Sequence, residues 1–128
     1  MPEPHRARKV YLALAIGTIV LGLIVHLGGS TLPPAGRDML GDALWASMMV
    51  WWISAALPRM PLRTRALAAF AVCVAVELSQ QYHTPSLDAI RRTVPGHLLL
   101  GSGYDPRDIP AYAAGILAAA LVARRIGR

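Results

Sequence analysis

The chain has 128 residues, of which 55% are apolar and only 16% charged, with a formal net charge of +6 at pH 7. Soluble domains carry about 25% charged residues, so the composition argues against one and points to a membrane protein of one domain. Cys73 is the only cysteine, which excludes an intrachain disulfide and a thiolate-based metal centre; it reads as a small packing residue.

Four segments contain no Asp, Glu, Lys or Arg: Val10–His26, Ala43–Leu57, Ala66–Val76 and Ile109–Ala123. A bilayer core about 30 Å thick needs roughly 20 mostly apolar helical residues. Extended to nearby polar ends, the segments predict four transmembrane helices over roughly 10–27, 39–57, 65–82 and 109–126. The first follows His5-Arg6-Ala7-Arg8-Lys9 and so also resembles a signal peptide. Its apolar run is longer than the roughly 7–15 residues of a signal core, and no A-x-A site precedes Gly28, so a retained helix is expected.

Small residues recur at four-residue spacing: Ala13 with Gly17 and Thr18 with Gly22 in the first span, Ala71, Ala75 and Ser79 in the third, Ala111, Gly115, Ala119 and Ala123 in the fourth. Such stripes let helix backbones approach where lipid supplies no hydrophobic drive, and predict a compact bundle. Tyr11, Trp51 and Trp52 are expected in an inner aromatic belt, with Trp45, Tyr82 and Tyr112 in an outer one. Pro58 and Pro61 should end the second span.

Between spans three and four, Thr84-Pro85 reads as a helix start. Leu87, Ile90, Val94 and Leu98 recur at helical spacing beyond it, and Pro95-Gly96 should break the helix. The expectation is a short amphipathic or re-entrant helix over roughly 85–94 in the last outer loop, followed by a flexible joint at Gly101-Ser102-Gly103.

With both termini placed in the cytoplasm, nine basic residues fall inside and four outside: Arg37, Arg91, Arg92 and Arg107. This is the positive-inside bias of a plasma or inner membrane protein, so the basic charge marks topology and not nucleic-acid binding. Six of the seven acids fall outside: Asp38, Asp42, Glu77, Asp88, Asp105 and Asp108. His26, His83, His97, Gln80 and Gln81 join them.

A site is therefore expected on the outer face. Glu77 lies within span three about one turn before its outer end, with Gln80 at i+3; an unpaired charge there is costly, so Glu77 should face the bundle. It reads either as a proton-exchanging or ligand-binding carboxylate or as the ion-pair partner of Arg37, Arg91 or Arg92. Asp105 and Asp108 could hold a cation or a head-group amine, or else Asp108 caps span four and Asp105 pairs with Arg107. Asp42, in the first turn of span two, has a similar helix-end reading. His83 completes the candidate set. The histidines and carboxylates lack the H-E-x-x-H or H-x-x-E-H spacing of a zinc site. No serine has the His–Asp order of a nucleophile, and there is no phosphate-binding loop, so neither metal nor cofactor is expected.

The pattern Arg37-Asp38, Gly41-Asp42-Ala43-Leu44-Trp45, Val76-Glu77-Leu78-Ser79-Gln80 and Gly101-x-Gly103-Tyr104-x-x-Arg107-Asp108-x-x-Ala111-Tyr112-x-x-Gly115 resembles the uncharacterised bacterial membrane family called domain of unknown function 2809. More distantly the chain is similar to the VanZ-like family, with Glu77 and Gln80, then Tyr104, Asp105 and Asp108, then Gly115 matching its pattern. Tyr112 stands where that family usually has Asn, and Asp42 near where it tends to have His. The resemblances imply a shared four-helix membrane fold with an outward polar site. Three functions fit: binding of a membrane lipid or lipid-linked envelope intermediate, catalysis on such a lipid with Glu77 or Asp108 as general base, or an accessory role in a homo-oligomer or larger membrane complex.

Overall fold

The computed structural model describes residues 4–28, 33–79, 84–93 and 108–126. Among these the chain is all-α, with no strand, in five helices: α1 (Pro4–Gly28), α2 (Pro34–Ala56), α3 (Leu62–Ser79), α4 (Pro85–Arg92) and α5 (Asp108–Ile126). Proline punctuates the chain. Pro34 sits at the start of α2, where its missing N–H leaves nothing unsatisfied, and the carbonyl of Pro33 accepts from Arg37 N–H at 3.0 Å. At the other end α2 stops at Ala56, just before Pro58, as expected. The Pro61 carbonyl then accepts from Arg65 N–H at 3.0 Å and opens α3. Thr84 caps α4, its hydroxyl oxygen accepting from Leu87 N–H at 3.1 Å. The helix ends at Arg92, two residues short of the expected 94.

Helices α1, α2, α3 and α5 run alternately up and down. The start of α1 meets the end of α2, where Arg8 Nε donates to the Ala55 carbonyl at 2.8 Å. The end of α2 meets the start of α3, through Arg65 and Ser54. The end of α3 meets the start of α5, through Glu77 and Tyr112. Helix α2 is the hub, packing against α1, α3 and α5, while α3 also packs against α5.

Small residues make these contacts. On α5 the stripe Ala111, Gly115, Ala119 and Ala123 is buried, as the sequence predicts. A Cβ built on Gly115 would lie 2.7 Å from the Ala43 carbonyl carbon, so only glycine lets α5 approach α2 this closely. The Ser47 hydroxyl bridges the same approach, 2.8 Å from the Gly115 carbonyl and 2.9 Å from the Ala43 carbonyl. The stripes expected on α1 and α3 are corrected in part, since Thr18, Gly22 and Ser79 are half-buried. Ala13 and Gly17 are exposed, and α1 packs instead through Ala7, Tyr11 and Ala15. Ala71 and Ala75 are also exposed, and α3 buries Arg65, Ala69, Cys73 and Glu77. Small residues occur on two faces of these helices, and the face that meets α2 is the one that matters.

The large apolar side chains point outward: Ile16, Val20 and Ile24 on α1, Leu67 and Val72 on α3, Leu117 and Leu121 on α5. The core is rich in alanine, with Tyr11, Trp51 and Tyr112 among its larger members, while many leucine, isoleucine and valine side chains form the outer shell, the reverse of the usual soluble arrangement. Two helices, α1 over His5–Val25 and α5 over Asp108–Ile126, are long and apolar enough to cross a membrane. Helix α3 carries Arg63, Arg65 and Glu77 within its 18 residues, and α2 carries Arg37, Asp38 and Asp42.

The aromatic expectation also needs correction. Tyr11, Trp51 and Tyr112 are core residues, not a peripheral belt; Trp52 alone of the inner set is exposed. Tyr11 and Trp51 stack with centroids 6.0 Å apart, filling space that small neighbours leave open.

Candidate functional site

Arg65, Ala69, Cys73 and Glu77 follow one another every four residues, so they form one line along α3 facing the bundle. The line ends at Glu77, which is 0% exposed. Tyr112 on α5, 3% exposed, donates its phenolic O–H to Glu77 Oε2 at 2.6 Å. That length marks a strong bond to an acceptor carboxyl shielded from water. On the other side of Tyr112, the Trp45 ring of α2 packs against it with centroids 5.5 Å apart and planes inclined by 51°. Trp45 Nε1 is buried and meets no acceptor among the described residues.

Asp42 lies three residues before Trp45 and Asp108 four residues before Tyr112, so each shares a helix face with its aromatic neighbour. The two carboxyls lie within hydrogen-bonding reach of each other, and Glu77 is close enough to act on Asp42 electrostatically. A hydrogen bond between two carboxyl groups requires a proton on one of them, because a carboxylate only accepts. The junction of α2, α3 and α5 thus gathers three carboxyl groups, a phenol and an indole at the end of the bundle opposite the basic residues of α1, α3 and α5.

The arrangement offers acceptors in the carboxyls and one unsatisfied donor in the Trp45 indole. Among the described residues no three His, Cys, Asp or Glu side chains are grouped to hold a metal ion. The chemistry available is hydrogen bonding to a polar, donor-rich group and proton exchange through the Asp42–Asp108 pair.

The structure brings together Glu77, Asp42 and Asp108 from the residues expected at the site. Asp108 lies in the first turn of α5. Arg92 is exposed on α4, its Nε donating to the Asp88 carbonyl at 3.3 Å within the same helix. Gln80, His83, Asp105 and Arg107 lie outside the described residues, as do Tyr82 and the Pro95-Gly96 and Gly101–Gly103 segments, and so does the side chain of Arg91. Two members went unrecognised, Tyr112 and Trp45, which the sequence places in an outer aromatic belt. The available signal for Tyr112 was its position one helical turn after Asp108, which sets both on one face.

The chain belongs to the family described as protein of unknown function (DUF2809), whose model matches residues 31–116, more than half of its length. The matched stretch contains Asp42, Trp45, Glu77, Asp108, Tyr112 and Gly115. No solved structure matches the chain.

Proposed function

We propose that this DUF2809 protein crosses the membrane four times with both termini in the cytoplasm, and binds a lipid or lipid-linked cell-envelope molecule at its outer face. Support for four spans comes from the up-and-down order of the long helices and their shell of outward apolar side chains. Helix lengths agree: at about 1.5 Å per residue, α1, α2, α3 and α5 run about 38, 35, 27 and 29 Å, against a hydrocarbon core of about 30 Å. The end bearing Arg8, Arg65, Arg124 and Arg125 is then cytoplasmic and the Glu77 end is outer. Helix α4 lies at the outer interface with Ile90 toward the acyl chains.

The observation that carries the binding reading is the buried Tyr112–Glu77 hydrogen bond beside the Asp42–Asp108 carboxyl pair and the unsatisfied Trp45 N–H. A protein that only filled space would not gather four ionisable side chains at one junction, with Glu77 and Tyr112 buried and Asp42 and Asp108 half-buried, since each costs free energy that an apolar residue would not. A head group bearing hydroxyl or amine donors would add to the bonds these carboxyls make, and an acceptor oxygen on it would meet the Trp45 N–H.

Native mass spectrometry of the protein in mild detergent tests this. The wild type should retain one lipid species selectively, and Glu77→Gln should lose it while its circular dichroism stays helical. Unselective retention by the wild type, or unchanged retention by folded Glu77→Gln, rejects the reading.

A second reading is catalysis on the same lipid, and the Asp42–Asp108 pair favours it. Two carboxyls sharing a proton can act as acid and base in turn. It requires turnover of the retained lipid that Asp42→Asn abolishes while binding persists.

A further inference from the structure

The opposite end of the bundle holds a second unusual group. Arg65 begins the buried line of α3 and is only 7% exposed. Its Nη1 donates to Ser54 Oγ at 2.9 Å, and Ser54 is itself fully buried. The guanidinium carbon lies 5.5 Å from the centroid of the Tyr11 ring, which stacks in turn on Trp51. Nε is buried and meets no acceptor among the described residues. Among the described residues no carboxylate pairs with this cation.

A hydroxyl and a ring face do not compensate a guanidinium withdrawn from water, since desolvating such an ion costs several kcal/mol. The α2 C-terminus supplies partial negative charge nearby, but its Ala55 carbonyl already accepts from Arg8. Every charged residue described at this end is basic: Arg6, Arg8, Lys9, Arg59, Arg63, Arg124 and Arg125 are exposed here, with His5. Nη1 is committed to Ser54, so the edge that remains is the one formed by Nε and Nη2. That edge is a planar two-donor fork, spaced to meet two oxygens of a phosphate or carboxylate.

We propose that the basic end of the bundle is a phosphate site, with the Nε–Nη2 edge of Arg65 gripping two oxygens of one phosphate group. Ser54 and Tyr11 hold the guanidinium in place, and Arg8 stands over the same α2 terminus as a second cation. The phosphate belongs either to an anionic lipid of the adjacent leaflet or to a soluble phosphate. The site is separate from the one at Glu77, on the other side of the bundle, and does not depend on it.

The test uses the full chain and two probes. In the first arm the purified protein is placed in nanodiscs of phosphatidylcholine with increasing phosphatidylglycerol, and retained lipid is counted by native mass spectrometry. In the second, inorganic phosphate is titrated in detergent while tryptophan emission is followed, since Trp51 stacks on the ring beneath Arg65. One arm or both should show saturable one-to-one binding, and which arm does so identifies the source. Arg65→Lys keeps the charge and the ring contact, so it should fold, but it loses the fork and should bind at least fivefold more weakly. Arg63→Gln removes an exposed cation one turn-half away on the same helix and should change affinity less than twofold. The proposal is overturned if neither probe binds stoichiometrically, if Arg65→Lys binds as the wild type does, or if Arg63→Gln weakens binding as much as Arg65→Lys. The last result would mean that only diffuse surface charge attracts the anion.

Discussion

Tyr112 and Glu77 stand 35 residues apart in sequence, yet their side chains meet at 2.6 Å with neither reached by solvent. This bond ties the start of α5 to the end of α3, and Trp45 of α2 closes on it from the other side. Structural stability and the proposed ligand chemistry therefore share the same atoms.

Tyr112→Phe keeps the ring on Trp45 and deletes only the donor to Glu77. Losing one donor to a buried carboxyl costs about 1–3 kcal/mol. The thermal melt of the detergent-solubilised variant should shift down accordingly, with helix content unchanged at low temperature. A melt equal to that of the wild type would mean that the bond contributes nothing net.

Asp42→Asn places a neutral amide donor against Asp108 and removes one of three clustered carboxyls. Groups kept for function commonly cost stability, so this variant should melt at the wild-type temperature or above it. Lipid retention in native mass spectrometry should change if the pair serves binding, and persist with turnover lost if the pair serves catalysis. A large drop in melting temperature would assign the pair a structural role.

Gly115→Ala drives a methyl group into the Ala43 backbone. Overpacking of this kind typically costs about 1–3 kcal/mol, and more where rigid backbone must move. The variant should lose stability or aggregate in size-exclusion chromatography. Gly17→Ala on α1 should do neither, because a Cβ there meets nothing within 4 Å.

Topology is testable by cysteine labelling. Cys73 is fully buried and should resist thiol reagents in the folded protein. In a Cys73→Ala background, Ser86→Cys at the start of α4 should react with a membrane-impermeant maleimide applied to intact cells. Arg59→Cys, between α2 and α3, should react only after permeabilisation. The reverse pattern would invert the orientation, and equal labelling of both would reject the four-span arrangement.

Much of the helix order was legible in the residues. The charge-free segments mark α1, α2, α3 and α5, and Thr84-Pro85 marks α4, because composition and proline act locally. Boundaries were less legible: α1 runs back to Pro4 and α2 to Pro34, since a helix continues through polar residues when nothing breaks it. Glu77 was legible as inward-facing because residues 65–82 read as a span, and a charge within such a span would not favourably face lipid.

What the sequence by itself determined is the all-α class, the division into one basic and one acidic end, and the burial of Glu77, all properties of residue type along a single helix. Tertiary structure decided which faces meet. It chose Ala69 and Cys73 over Ala71 and Ala75 on α3, and it drew Tyr112 from an expected belt into the core as the donor to Glu77. It also left the buried Nε of Arg65, at the other end, without an acceptor among the described residues. These outcomes depend on the shape of a neighbouring helix many residues away, and a periodic stripe of small residues carries no information about which neighbour it will meet.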